Sequence, residues 1–233
     1  MTHIGILLCD EHYPEAVEKY GTYDVDFKSM LSGEGESNFS YSVWRCYRGE
    51  FPETVTLCDA WIISGSKWGA YDPDEWIQKL KIFIRLVDQA HVRLVGICFG
   101  HQIIHAALGG EVHKSSKGWG LGAYPITLYG NLNSIPRGTA LRLLAMHQDQ
   151  VSTMADDFML LGGSDFCPYA ITRKSQYIMT FQAHPEFEDG FYRGLCELVR
   201  EDVGDEAIDR TIKELGQVDD RELVRHVIKE FLS

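Results

Sequence analysis

The chain has 233 residues, 45% of them hydrophobic and 24% charged, with a formal net charge of −12. That length can bury a sizeable core as one large domain or two small ones, and an acidic chain with no basic tract is a poor partner for nucleic acid or an anionic membrane surface. No apolar stretch approaches transmembrane length, and six cysteines without a Cys-x-x-Cys pair, behind an N-terminus with no basic region and long apolar run, read as free thiols in a reducing compartment, so a cytoplasmic location is expected.

Residues 4–9 form an apolar opening strand. Residues 15–31 have helical spacing interrupted at Gly21, and 32–40, with Gly33, Gly35 and Asn38, read as a loop. Residues 41–47 alternate as a strand, and 60–63 make a short buried strand that ends at Ser64-Gly65. Asp72, Pro73 and Asp74 are start signals for a helix over 76–89, where Trp76, Ile77, Leu80, Ile84 and Val87 recur at helical spacing. An apolar run over 92–97 enters Gly96-Ile97-Cys98-Phe99-Gly100, and a helical pattern over 102–108 leaves it. Shorter strands are expected over 124–128, 141–145, 159–161, 170–173 and 177–181, then a helix over 190–200.

The tail, 201–233, carries two amphipathic stripes: Ile208, Ile212 and Leu215, then Leu223, Val227 and Phe231. Such stripes are read either as faces docked on the parent domain or as a surface for a partner. Strands and helices alternating in this order imply an α/β fold with a doubly wound, mainly parallel sheet flanked by helices. No linker or repeat interrupts it, so residues 1–233 are expected to form one domain with 201–233 as a helical extension.

The Gly-x-Cys-x-Gly segment has the layout of a nucleophile elbow. Side chains at the two glycine positions would collide with neighbouring backbone, and the helix that follows turns its N-terminal dipole toward Cys98, which favours a thiolate. The plainer reading is a buried cysteine beside a helix start. A second segment, Phe181-Gln182-Ala183-His184-Pro185-Glu186, also follows a strand. A thiol nucleophile needs a base, and the base needs a group to fix its tautomer. His184 and Glu186 supply these types, with Pro185 restricting the backbone between them. In an open α/β sheet, ligands bind beyond the carboxyl ends of the strands, where Ser64-Gly65, Cys98 and His184 all fall.

The motifs GICFGHQ (96–102) and AHPEF (183–187) make the chain similar to the class I glutamine amidotransferase family, the Cys-His-Glu type with a flavodoxin-like architecture. Ile62 to Ser66, Gly109 to Val112 and His147 to Val151 support the match in order and spacing, over roughly residues 2–199. Within the family it looks most like stand-alone members related to γ-glutamyl peptidases, through Tyr20-Gly21-Thr22-Tyr23, Gly49-Glu50-Phe51-Pro52 and Ser64-Gly65-Ser66. Synthetase-fused members tend to carry a Gly-Gly-Pro type loop where this chain has Gly65-Ser66-Lys67.

The resemblance implies that Cys98 attacks the γ-carbonyl of a glutaminyl amide, that His184 moves the protons, and that Glu186 orients His184. The N–H of Phe99, following the nucleophile, and by resemblance that of Ser66 would stabilise the oxyanion, with Gly65 allowing close backbone approach. Gln102, the loop of Gly118 and Trp119, and His147 would contact substrate, although His147-Gln148-Asp149 also reads as a polar turn between strands.

No metal and no cofactor are expected. His101 and His105 share a helix face, but Gln102 stands where a zinc peptidase motif needs glutamate. The expected ligand is glutamine or a γ-glutamyl small molecule. Three functions remain open: an amidotransferase subunit passing ammonia to a separate synthetase subunit, a stand-alone γ-glutamyl peptidase, or a non-enzymatic binding protein on this scaffold. The Tyr20 and Ser64-Gly65-Ser66 segments favour the second. A diazo-ketone analogue of glutamine should label Cys98 far faster than the other five cysteines; peptide mapping that finds Cys9 or Cys196 labelled first would contradict the elbow.

Overall fold

A computed structural model describes residues 1–32, 38–217 and 220–233. Most of the loop expected over 32–40 therefore falls on 33–37, outside the described residues. The strands are β1 (Thr2–Leu8), β2 (Phe39–Arg45), β3 (Ala60–Ile63), β4 (Arg93–Ile97), β5 (Glu111–Lys114), β6 (Gly120–Gly122), β7 (Pro125–Leu128), β8 (Ala140–Arg142), β9 (Ala145–His147), β10 (Asp149–Thr153), β11 (Met159–Gly163), β12 (Ile171–Lys174) and β13 (Ile178–Phe181). The helices are α1 (Pro14–Tyr20), α2 (Tyr23–Ser32), α3 (Glu75–Ala90), α4 (Phe99–Ala107), α5 (Asp189–Leu198), α6 (Arg200–Val203), α7 (Asp205–Glu214) and α8 (Arg221–Leu232). Among the described residues no helix is long and apolar enough to cross a membrane.

Nine strands form one sheet in the order β2-β1-β3-β4-β13-β12-β11-β7-β8. The first five run parallel, and the last four add on antiparallel. Alternation along the central strands divides the core. Ile4, Ile6, Ile62, Val95 and Ile97 face one side, with Phe27 and Leu31 of α2 and the apolar side of α8. Leu7, Trp61, Ile63 and Leu94 face the other, with Ile77, Leu80 and Ile84 of α3 and Ile103 and Ile104 of α4.

Several boundaries differ from the sequence expectation for identifiable reasons. The helix after the elbow begins at Phe99 rather than 102, since Gln102 N–H already donates to Cys98 O at 3.0 Å. The strand expected over 41–47 stops at Arg45, and Cys46–Arg48 turns as a 3-10 helix closed by Gly49 at φ 82°. The expected strand 141–145 is two strands: β8 ends the large sheet, while β9 pairs with β6 in a separate two-stranded ribbon. The Tyr192 hydroxyl joins that ribbon, accepting from Gly122 N–H and donating to Ala145 O, both at 2.7 Å. β5, β6 and β10 carry no clear alternation and belong to two-stranded ribbons outside the main sheet. In the tail, Leu223 is half exposed, and the stripe that docks is Val224, Val227, Ile228, Phe231 and Leu232.

The elbow depends on backbone contact. A Cβ on Gly100 would lie 2.3 Å from Ile63 O, and one on Gly96 would lie 2.6 Å from Gly100 O. Neither separation is open to real atoms, so β3, β4 and α4 approach this closely only through glycine. Gly100→Ala should lower the free energy of unfolding by about 2 kcal/mol, read from the urea midpoint. An unchanged midpoint would show that α4 can move away from β3.

Candidate active site

β3, β4 and β13 are adjacent and parallel, with Ile63 beside Gly96 and Phe181 beside Ile97. Their carboxyl ends therefore deliver Ser64-Gly65-Ser66, Cys98 and His184 to one edge. Cys98 sits between β4 and α4 at φ 52°, ψ −104°, a strained conformation for a residue with a side chain. Its N–H is fixed to Phe181 O at 2.8 Å.

His184 is buried, and its own N–H donates to Leu144 O at 2.8 Å. Its Nδ1 lies 2.7 Å from Glu186 Oε1. A carboxylate only accepts, so Nδ1 carries hydrogen and the far edge of the ring is left for the Cys98 side chain. Phe187 stacks on the imidazole at 3.9 Å between centroids and 6° between planes. Burial alone would lower the His184 pKa, but the Glu186 carboxylate and the Cys98 side chain outweigh it and raise it to about 10. Glu186 is almost fully buried, and its Oε1 also accepts the Tyr23 hydroxyl at 3.0 Å.

Gly65 closes the site from the β3 side. A Cβ there would lie 2.8 Å from the Tyr23 hydroxyl oxygen and 3.0 Å from His184 Cε1. The loop is held by its own hydroxyls. Ser64 Oγ accepts from Cys9 N–H and donates to Gly65 O, both at 2.9 Å, while Ser66 Oγ donates to Cys9 O at 2.9 Å and accepts from Trp68 N–H at 3.2 Å. Among the described residues the backbone N–H groups of Ser66 and Phe99 have no acceptor. The Phe99 side chain points away from the site and packs on Trp76.

A cavity of about 490 Å³ opens over Cys98 and is lined by Gly65, Ser66, Gln102, Trp119, His147 and His184 among others. Gly118 does not line it; it stands in a turn at φ 80°, its N–H donating to Ser115 O at 3.2 Å. His147 is more than part of a polar turn. Its Nδ1 donates to Asp149 O at 3.1 Å and its Nε2 accepts the Tyr124 hydroxyl at 2.8 Å. That pattern belongs to a neutral ring, in keeping with burial lowering its pKa to about 4.

His101 and His105 turn toward the sheet instead. His101 Nδ1 lies 2.7 Å from Thr180 Oγ1, and His105 Nε2 lies 2.9 Å from Thr172 Oγ1. The two threonine hydroxyls are 2.6 Å apart, so the histidines anchor α4 on β12 and β13.

Three participants were not identified from sequence. Tyr23 lies within a segment that carries the family likeness, but its contact with Glu186 spans 163 residues. Gln182 follows the end of β13, two residues before His184, and no local pattern marks its contact with Cys98. Arg225 of α8 donates through Nε to Pro185 O at 2.7 Å, so the tail braces the segment that carries His184 and Glu186.

The folded pKa of His184 lies above its ordinary 6.5. The stabilisation this represents is fully present below about 6.5 and is lost as pH rises through about 10. Glu186→Gln should therefore open a stability gap from wild type that is wide near neutral pH and closes as pH climbs through about 10. Urea melts across that range measure it, and a gap independent of pH would show that His184 is not held as imidazolium.

A model of the glutamine amidotransferase class-I family matches residues 24–193. A glutamine amidotransferase-like protein of Schizosaccharomyces pombe is 31% identical over 209 residues, covering 85% of this chain and 84% of its own length. Gamma-glutamyl peptidase 2 of Arabidopsis thaliana is 31% identical over 176 residues, covering 73% and 70%. The crystal structure of a glutamine amidotransferase from Methylobacillus flagellatus superposes with a TM-score of 0.78 at 20% identity, covering all of this chain and 92% of that one, which establishes the shared fold. With a sheet of this order, a cysteine elbow on its fourth strand and a family match over most of its length, the chain belongs to the class I glutamine amidotransferase family.

Proposed function

We propose that the chain hydrolyses the γ-amide bond of γ-glutamyl compounds through a thioester on Cys98. The observation that carries this reading is the line Glu186 Oε1–His184–Cys98, buried at the floor of a cavity and overlain by Gly65. Cys98 attacks the γ-carbonyl carbon as thiolate. The carbonyl oxygen becomes an anion, received by the N–H groups of Ser66 and Phe99, each worth about 3 kcal/mol in the transition state. His184 gives a proton to the departing nitrogen as the C–N bond breaks. It then takes one from water, which attacks the thioester and releases glutamate and the thiolate. Glu186 holds the imidazole in the tautomer this needs and stabilises its charged form.

The cavity supports a substrate larger than glutamine. At about 490 Å³ it lies in the range of sites for drug-sized ligands. From Phe187 its lining continues along α5 with Phe191 and Leu195, four apart on one helix face, to Val199 at the end of that helix. A peptide or conjugate departing from the γ-carboxyl can lie along that wall, whereas ammonia makes no use of it. The gamma-glutamyl peptidase relative points the same way. Residues 201–233 are part of the same functional unit in this reading, because Arg225 braces Pro185.

Offered glutamine, glutathione, a glutathione conjugate and a γ-glutamyl amine, the isolated chain should turn over a γ-glutamyl conjugate faster than glutamine by mass spectrometry. Cys98→Ala should abolish that turnover without loss of fold, and Glu186→Gln should cost roughly a hundredfold less than Cys98→Ala. Activity in Cys98→Ala would sink the mechanism. Inertness toward all four compounds, relieved by a synthetase chain, would replace the peptidase reading with that of an ammonia-donating subunit.

A further inference from the structure

The nucleophile has a polar neighbour outside the His184–Glu186 pair. Gln182 is fully buried, and its Nε2 lies 3.6 Å from Cys98 Sγ. Its orientation is determined by a chain of hydrogen bonds. Asp149 O, a carbonyl that can only accept, receives one hydrogen of Gln102 Nε2 at 2.8 Å. The same nitrogen gives its other hydrogen to Gln182 Oε1 at 3.1 Å. Gln182 must therefore present its oxygen to Gln102 and its NH₂ to the sulfur; the flipped amide would set two donors face to face.

The polar atoms around Sγ favour different protonation states. Met146 O, at 3.9 Å, accepts and so favours the S–H form. The Gln182 amide donates and so favours the anion. Both hydrogens of Gln102 Nε2 are already committed, which leaves it only Oε1 to offer the cavity it lines.

We propose that Gln182 is a further catalytic residue, donating to the Cys98 thiolate, and that Gln102 is the positioning residue that aims it. The proposal rests on Cys98 being the nucleophile, and it assigns Gln182 two moments in the reaction. Before attack it holds the sulfur as anion in line with the cavity. When water has added to the thioester and the C–S bond breaks, the electron pair returns to sulfur, and the same N–H receives the thiolate as leaving group. No proton is transferred by the amide in either step.

The test reads the thiolate directly and needs no substrate. Alkylation of Cys98 by iodoacetamide is followed by peptide mass mapping across a pH series in wild type, Gln182→Leu, Gln182→Glu and Gln102→Leu. In mildly acid buffer Gln182→Leu should alkylate about tenfold more slowly, the worth of a hydrogen bond to a charged group. In alkaline buffer, where the thiol is ionised in both proteins, the rates should converge. Gln182→Glu keeps the size and the acceptor for Gln102 but sets a carboxylate beside the sulfur, so it should be slower still in acid. Gln102→Leu should fall between wild type and Gln182→Leu.

Acid-limb rates of Gln182→Leu and Gln182→Glu that match wild type would overturn the proposal. Should leucine disturb the fold, seen as a lost alkaline rate or a lowered melting temperature, the glutamate variant decides by the same criterion. Turnover is not part of the measurement, so a wrong substrate assignment leaves the outcome intact. A Cys98 that reacts no faster than the other cysteines would count against its role as nucleophile instead.

Discussion

The site depends on one close approach of two backbones. Gly100 at the start of α4 lies against the last carbonyl of β3 so tightly that a single methyl group would have to overlap Ile63 O. That approach sets the entry angle of α4 and leaves Cys98 on a sharp turn at positive φ. The strain costs on the order of 1–3 kcal/mol and is maintained by what surrounds it. The Cys98 N–H is tied to β13, the Gly100 N–H donates to Ser64 O at 3.1 Å, and α4 is anchored to the sheet by His101 and His105. The sulfur is thereby placed at the carboxyl edge of the sheet, buried at the floor of the cavity.

Electrostatics then divides the histidines near this edge into two kinds. His184 faces a carboxylate and a thiol and is pushed toward the imidazolium, whereas His147 meets a backbone carbonyl and a tyrosine hydroxyl and stays neutral. Both are buried, so burial alone does not separate them; the charge of the neighbours does. The Tyr23 hydroxyl adds to this by donating to Glu186 Oε1, the same oxygen that faces His184 Nδ1. It also lies against Gly65, so one phenol couples Glu186 to the loop beside Cys98. The partners come from α2, β3 and β13, and the site is preorganised only when these elements are packed together.

The helical tail contributes to the same end. α8 packs its apolar side on the core shared by α2 and the central strands, and Arg225 reaches Pro185 O and the Glu188 carboxylate, each at 2.7 Å. α8 thereby ties the segment that carries His184 and Glu186 to the core.

Much of this was legible in the primary structure, for local reasons. Glycines around Cys98, a run of β-formers before it and a helical pattern after it specify strand, turn and helix within a dozen residues. Pro185 between His184 and Glu186 likewise makes a local statement about two side chains. Periodicity located α3, the central strands and the parallel order that brings the strand ends to one edge. What local sequence could not carry is any contact whose partners are remote or whose elements lack a pattern. Gly-Leu-Gly and Glu-Val-His-Lys become strands only because each has a ribbon partner to pair with. Leu143 and Leu144 continue an apolar run, yet the chain leaves one sheet for another around them. Leu223 fits the stripe as well as Val224 does, and only the direction from which α8 meets the core decides which is buried. Tyr23, Gln182 and Arg225 acquire their places beside Glu186, Cys98 and Pro185 by packing alone. The Cys98 turn and the His184-Pro185-Glu186 segment could be read from the chain because they depend on neighbours along it. Tertiary structure decided their charge states, their supports and the shape of the cavity, because these depend on neighbours in space.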